Sequence, residues 1–469
     1  TKKRAAKKTA NKRTTKKTAK KRATKKKATK QRAAASPEAG VSANRGGARR
    51  RPRGGLRAKL AALPRLKGLG VGLVLGVALL ACVQQVQPPP PAPVVEPEPE
   101  IRVKLLERTL ASQATLKLTL SEAPWELKGE RGATEGIVAL RTSELEVSLQ
   151  NGSLHVSGYE PQGTWLELTP QEPDGTFTLE GRTYPGRLRL EPAANGKGLV
   201  AINSLGLESY LLGVVGYESP LSWDDEALCS QAVAARTYAL VGLKPGRSYD
   251  VVDDTRDQVY RGLMEPRYRA RVQKLVAATR GEVVTYQGKP ITTYFHSTCG
   301  GDTVPAEWVF PWVHEAFEPW SGASDCPCQA SKYYRWEASV DLDQKPAPGE
   351  QTAVQQLVLQ LPLTKVEVEH YPRGGYAKTL ILTDQSGEAS VVPAWEARRV
   401  FGLRGYAFDA TLGEGGTRIE FTGRGWGHGV GMCQFGSQGR AKQGWDHGKI
   451  LGHYYPGTEL TTLPYGELE

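Results

Sequence analysis

Acidic residues are almost missing from the first 67 positions of this chain, where Glu38 stands alone against 26 lysines and arginines. Large apolar side chains are nearly missing there too. Residues 1–65 cannot bury enough surface to fold, so a disordered Lys/Arg/Ala-rich tail is expected over 1–67. The formal net charge of +13 on 469 residues belongs to that tail. From residue 68 onward 36 basic residues meet 48 acidic ones, which excludes a folded region shaped by positive charge for nucleic acid. A nucleic-acid-binding reading rests on the tail alone. The apolar run Gly68–Ala81 has 14 residues, short of the roughly 20 a spanning helix needs.

That run suits the h-region of a secretory signal, with Arg65 and Lys67 before it. Leu79-Leu-Ala-Cys82 resembles a bacterial lipobox, which makes Cys82 a lipid-attachment site and discards everything ahead of it. The other reading is an uncleaved signal anchor that keeps the tail in the cytoplasm. Both put the rest of the chain in the cell envelope, outside the cytoplasmic membrane and tethered to it. Residues 83–100, with PPPPAP and EPEPE, form a semi-rigid spacer.

Residues 101–198 carry strand signals and no cluster with catalytic spacing. Apolar and polar residues alternate in Ala114–Leu120 and Leu145–Leu149, and Asn151-Gly152 marks a hairpin turn. An antiparallel β module that supports or binds is expected. A second region follows over 199–465. The predicted class is α+β, β-rich with a helical catalytic segment.

Glu218 stands out in that second region. The apolar residues Leu211, Leu212, Val214 and Val215 lead into it, and Ser219-Pro220 follows. A residue before proline is pushed out of the α region, so a helix cannot run on through Ser219. Asp224 or Asp225 can cap a new helix, with apolar residues at helical spacing from Glu226 to Val241. A carboxyl half buried by Val and Leu has its charged form disfavoured, as a general acid requires. A surface glutamate in a turn fits the same spacing. No acyl-transfer triad is evident, since Ser219 precedes a proline outside any nucleophile elbow.

Further along, a loop spans Gly246–Gly262, and the acids Asp253, Asp254 and Asp257 flank Arg256 in it as an ion pair would require. A helix is expected over Pro266–Thr279, and a hairpin around Gln287-Gly-Lys-Pro leads to His296-Ser-Thr-Cys-Gly-Gly301. Gly423, Gly425, Gly427, Gly429 and Gly431 alternate strictly. On a strand they would leave one face bare for a ligand or another backbone, with Arg424, Trp426, His428 and Val430 opposite. Beyond Cys82 five cysteines remain, an odd number. Cys229 sits on the Glu226–Val241 helix and is expected to be buried. A disulfide from Cys299 to Cys326 or Cys328 ranks above a zinc site of His296, Cys299, Cys326 and Cys328, so no metal and no cofactor are expected.

Several stretches together resemble the SpoIID/LytB family. They are Glu218-x-Pro, Trp223, Glu226-Ala-Leu-x-x-Gln-Ala-Val-Ala-Ala-Arg-Thr-Tyr-Ala, Asp257-Gln-Val-Tyr260, Phe295–Gly301, Gly423–Gly436 and His453–Glu459. They cover roughly 199–460 in the family's order. The resemblance implies a peptidoglycan lytic transglycosylase that cleaves MurNAc–GlcNAc strands and leaves 1,6-anhydroMurNAc ends. Glu218 falls on the family's catalytic glutamate. Arg236 is expected to orient it or a substrate oxygen, and His296 to join the catalytic set. Tyr217, Trp223, Tyr260, Trp426, His428 and Gln434 are expected to bind substrate. Family members often carry Cys and His in the 246–262 loop, in a pattern suited to zinc. The acids here depart from it and argue against a metal in that loop. The alternative function is a non-catalytic cell-wall binder that enhances an amidase, so the implied partners are peptidoglycan strands and a cell-wall amidase.

Overall fold

The computed structural model describes residues 97–465, apart from 109–114, 132–133, 141 and 345–350. The expectations for the basic tail, the signal or lipobox with Cys82, and most of the proline-rich spacer lie outside the described residues.

Two sheets form the first part of the fold. One has seven strands in the order Val251–Val252, Glu100–Arg108, Leu199–Gly206, Arg187–Pro192, Leu166–Pro170, Trp125–Arg131 and Thr134–Leu140. All its pairings are antiparallel except that of Glu100–Arg108 with Val251–Val252. The other has six strands in the order Arg182–Pro185, Thr176–Leu179, Thr115–Leu120, Glu144–Gln150, Ser153–Val156 and Tyr159–Gly163. Alternation sets the faces, with Leu116, Leu118 and Leu120 buried while Thr115, Lys117 and Thr119 are exposed. Asn151 and Gly152 both take positive φ (50° and 82°), as the two-residue hairpin between Gln150 and Ser153 requires.

The seven-stranded sheet crosses the expected 198/199 boundary. Leu199–Gly206 lies between Glu100–Arg108 and Arg187–Pro192, and apolar residues from both sides share one core. Residues 101–198 thus share a sheet and a core with the region that follows.

Eight helices of α type occur among the described residues: α1 Leu207–Leu212, α2 Val215–Glu218, α3 Asp225–Val241, α4 Pro266–Ala278, α5 Ala353–Leu357, α6 Ala394–Val400, α7 Gln434–Lys442 and α8 His447–Tyr454. Central α3 buries Leu228, Ala232 and Ala235 against the sheet core and Val233 and Ala234 against α8 and its surroundings. Small residues on two faces explain how it can be enclosed on both sides. A third core joins the sheet Trp336–Asp341, Arg418–Arg424, Ala407–Leu412 to the sheet Leu363–His370, Ala377–Asp384, Ala389–Pro393. The helix α5 is short, because Val358 turns left-handed at its C-terminus (φ 54°).

The glycine run corrects an expectation. Regular strand ends at Arg424, and Gly425, Gly427, Gly429 and Gly431 take φ of 79°, 108°, 80° and 65°. This is not a pleated strand with a bare face. The chain winds against its neighbours so closely that a Cβ on Gly431 would lie 2.1 Å from the Tyr294 carbonyl oxygen. Close packing accounts for that alternation, against backbone at Gly425 and Gly431 and against the side chains of Trp336, His296 and Tyr376 at Gly423, Gly427 and Gly429.

Candidate active site

Glu218 ends α2, a single turn. The apolar run 211–215 is split by Gly213, which leaves no room for a side chain: a Cβ there would meet the Tyr260 ring at 2.4 Å. Ser219, before Pro220, is extended (φ −133°, ψ 140°) and stops the helix where the proline rule predicts. The carboxylate is thus delivered at a helix end beside the start of α3.

It opens into a cleft of about 590 Å³. Tyr217, Trp223, Tyr333, Trp426, Gln434 and Lys332 are among the groups lining it, and Glu218 is the only carboxylate among the described lining residues. The backbone N–H of Val259 donates to Glu218 Oε1 at 2.6 Å, and Gln434 Nε2 donates to Oε2 at 3.3 Å. The same Gln434 nitrogen donates to Gln231 Oε1 of α3 at 3.1 Å, which fixes the amide's orientation. Burial pushes the Glu218 pKa up. The Val259 and Gln434 hydrogen bonds and the Arg261 charge pull it down without cancelling the rise.

Aromatic rings stand around this carboxyl. Trp426 is 40% exposed and meets Tyr333 edge-on, with ring centroids 4.1 Å apart. Tyr217 is 42% exposed, and Trp223 is held by an edge contact with Phe435 at 5.0 Å. Flat, half-exposed rings beside one protonatable carboxyl suit a polymer of sugar rings whose bridging oxygen needs a proton.

Of the residues singled out from the sequence, Glu218, Tyr217, Trp223, Trp426 and Gln434 come together in the cleft. Four do not, and their assignments are corrected. Arg236 is fully buried, and its Nε and one terminal nitrogen donate to Glu208 Oε1 and Oε2 at 2.8 Å each. It cannot orient Glu218. His296 points away from the cleft, since the alternation of its short strand turns Ser297 inward instead. Its ring Nδ1–H donates to the Val430 carbonyl at 3.1 Å, and burial lowers its pKa to about 4, so it stays neutral. His428 packs against His296 with centroids 5.2 Å apart, and its Nε2–H donates to the Phe295 carbonyl at 2.8 Å. Tyr260 is buried on Tyr210 and donates to Asn203 Oδ1 at 2.8 Å.

Sequence reasoning missed Val259, Gln231, Tyr333 and Lys332. Val259 acts through its backbone, which carries no side-chain signal. Gln231 lies in the quoted α3 motif and was legible there. Asp257 accepts from Tyr238 Oη at 3.0 Å and from the Val252 N–H at 2.9 Å, which ties the 246–262 loop to α3. Arg256 pairs with Asp254 at 2.7 Å, as its place between acids suggested.

Comparison with known proteins bears on this arrangement. The model of the SpoIID family, Stage II sporulation protein, matches residues 195–286, the span that carries Glu218, α3 and Val259. The chain is 31% identical over 281 residues to the Stage II sporulation protein D of Bacillus amyloliquefaciens, covering 56% of this chain and 76% of that one. The chain belongs to the SpoIID/LytB family. Within the SpoIID/LytB family it is also similar to the Amidase enhancer of Bacillus subtilis, at 27% identity over 357 residues, 67% of this chain and 50% of that one. An uncharacterized protein of Brachyspira hyodysenteriae is 30% identical over 319 residues, 64% of this chain and 77% of its own length.

Proposed function

We propose that this SpoIID/LytB chain acts on the bacterial cell wall as a lytic transglycosylase, with Glu218 as its single acid and base. The observation that carries this reading is a lone carboxyl, its pKa raised by burial, facing a cleft bordered by exposed aromatic rings. Hydrolysis normally uses two carboxylates roughly 5–9.5 Å apart. Asp224 and Asp225 lie close in sequence but do not serve: Asp224 accepts from Gln438 Nε2 at 2.6 Å and Asp225 from Arg271 at 2.6 Å. One carboxyl suffices if the nucleophile is internal to the substrate. Protonated Glu218 donates to the glycosidic oxygen between MurNAc and GlcNAc, and the C1–O bond breaks. The resulting carboxylate takes the proton of the MurNAc C6 hydroxyl as its oxygen bonds to C1. The products are a 1,6-anhydro MurNAc end and a free GlcNAc 4-hydroxyl, and Glu218 is protonated again. Val259 and Gln434 hold the carboxylate in the second half of this cycle. The chain acts outside the cytoplasmic membrane, tethered through Cys82 or its signal segment.

A second reading is favoured by the name of the Bacillus subtilis relative: a non-catalytic wall binder that enhances an amidase. It keeps the aromatic cleft without requiring Glu218 to change protonation state. Digesting purified peptidoglycan with the chain and with Glu218→Gln separates the two. Soluble anhydromuropeptides that vanish with the variant support the enzyme. Enhancement of an amidase that survives the variant, with no fragments from the chain alone, supports the binder.

A further inference from the structure

Four of the five cysteines among the described residues converge on one point. We propose that Cys299, Cys326, Cys328 and Cys433 form a tetrathiolate zinc site that clamps the wall of the Glu218 cleft. Their sulfurs all lie within 4.8 Å of one another and all four residues are buried. The Cys299 and Cys328 sulfurs are 3.6 Å apart. A tetrahedral Zn–S bond of about 2.3 Å places ligand sulfurs roughly 3.8 Å apart, whereas a disulfide needs about 2.05 Å. The expected pairing of Cys299 with Cys326 or Cys328 leaves out Cys433. The group gathered within that distance has Cys433 where the expected ligand set had His296.

The surroundings are those of bound thiolates. The Cys433 sulfur accepts from the backbone N–H groups of Cys299 and Gly436, each at 3.3 Å, and the Cys299 sulfur accepts from the Gly301 N–H at 3.4 Å. Tyr454 Oη lies 3.1 Å from the Cys326 sulfur. Cys433 is also the N-cap of α7, where the helix dipole favours negative charge. Such contacts orient and temper metal-bound sulfurs. Gly436 is a fitted part of the cradle: a Cβ there would lie 2.2 Å from the Cys326 sulfur and 2.0 Å from Tyr454 Oη. Binding exchanges thiol protons for the metal with no change of oxidation state, so no oxidant is involved.

The clamp ties three separate segments. Cys299 follows the short strand Phe295–His296, Cys326 and Cys328 sit on the loop leading to Tyr333, and Cys433 precedes Gln434. Two of these segments put Ser297 and Gln434 into the cleft, and the third puts in Tyr333. The metal site holds whether or not Glu218 is catalytic, because its readouts are metal and thiol content.

The test uses the full chain. Metal content is measured after dialysis and after incubation with zinc, and the cysteines are mapped by alkylation in denaturant with chelator and no reductant. The expected result is one zinc per chain, alkylation at all four positions, and a lower unfolding midpoint after a thiol-reactive mercurial releases the metal. Cys328→Ser and Cys433→Ser should each lower zinc content; if they fail to fold, the thiol map of the parent still decides. Failure to take up zinc in either state, or any disulfide among the four, overturns the proposal.

Discussion

Removing the Arg236 guanidinium tests whether this residue belongs to the fold or to the chemistry. Its five hydrogen bonds go to Glu208 twice at 2.8 Å, to the Glu282 carbonyl at 3.1 Å, to the Val276 carbonyl at 3.4 Å and to Thr279 at 3.5 Å. None goes to Glu218. Arg236→Met leaves the Glu208 carboxylate, 3% exposed, without its counter-charge. Breaking such a buried pair on one side costs about 3–5 kcal/mol. For a unit of this size, at roughly 2 °C per kcal/mol, that is a fall of about 6–10 °C in unfolding midpoint. Arg236→Met with Glu208→Leu removes both charges and should recover a large part of the loss, giving a coupling of about 2 kcal/mol or more. Denaturant unfolding followed by circular dichroism measures all three variants, and glycan cleavage is assayed per folded molecule. A single variant as stable as the parent but inactive would refute the structural assignment and return Arg236 to the active site.

Glu208 sets a further acid limit. Burial pushes its pKa up, but the bonds and charge of Arg236, the Tyr465 hydroxyl and the Gly281 N–H outweigh this and hold it below the usual carboxylate range. Its contribution is therefore present above the unfolded value of about 4.3 and lost as pH falls through the folded one, an acid loss that Glu208→Gln should flatten. Glu218 has the opposite sign: its raised pKa makes the native state bind more protons, so its ionisation destabilises the fold as pH rises. Glu218→Gln should be at least as stable as the parent at neutral pH, and a clear destabilisation there would contradict its burial. Burial lowers the His447 pKa, but bonds to Glu226 and Glu282, each 2.9 Å, outweigh that and raise it. Its stabilising effect is full below about 6.5 and declines at higher pH, a dependence that should disappear in His447→Leu. Gly431→Ala should cost more than about 2 kcal/mol, since a left-handed φ alone costs roughly 1–2 and the Tyr294 oxygen blocks the methyl. Gly444→Ala, also left-handed but in open space, should cost less. Trp426→Ala should raise KM for glycan strands with the unfolding midpoint unchanged.

Local sequence announced the local chemistry. The Ser219-Pro220 stop and the Asn151-Gly152 hairpin follow from turn residues that act within a few positions, and α3 from apolar residues at helical spacing. The gathering of Glu218, Trp223, Trp426 and Gln434 rested on the family likeness, because nothing local brings positions 218 and 434 together. What stayed hidden depends on long-range packing. Arg236 was expected to orient Glu218 and lies on α3, the helix that follows that carboxyl, but Glu208, on α1, meets its guanidinium first. The glycine run has a period of two, which a strand and a string of left-handed turns share. Cys433 lay among motif residues and gave no sign that it would reach Cys299, from which 134 positions separate it.

The central claim is that one carboxyl, Glu218, moves a proton out and back while the substrate supplies its own nucleophile. Cleaving purified glycan strands in heavy-oxygen water tests this most directly. Products one water lighter than hydrolytic fragments are expected, with no heavy oxygen at C1, and no cleavage by Glu218→Gln. Heavy oxygen at C1, or undiminished cleavage by the variant, would contradict it.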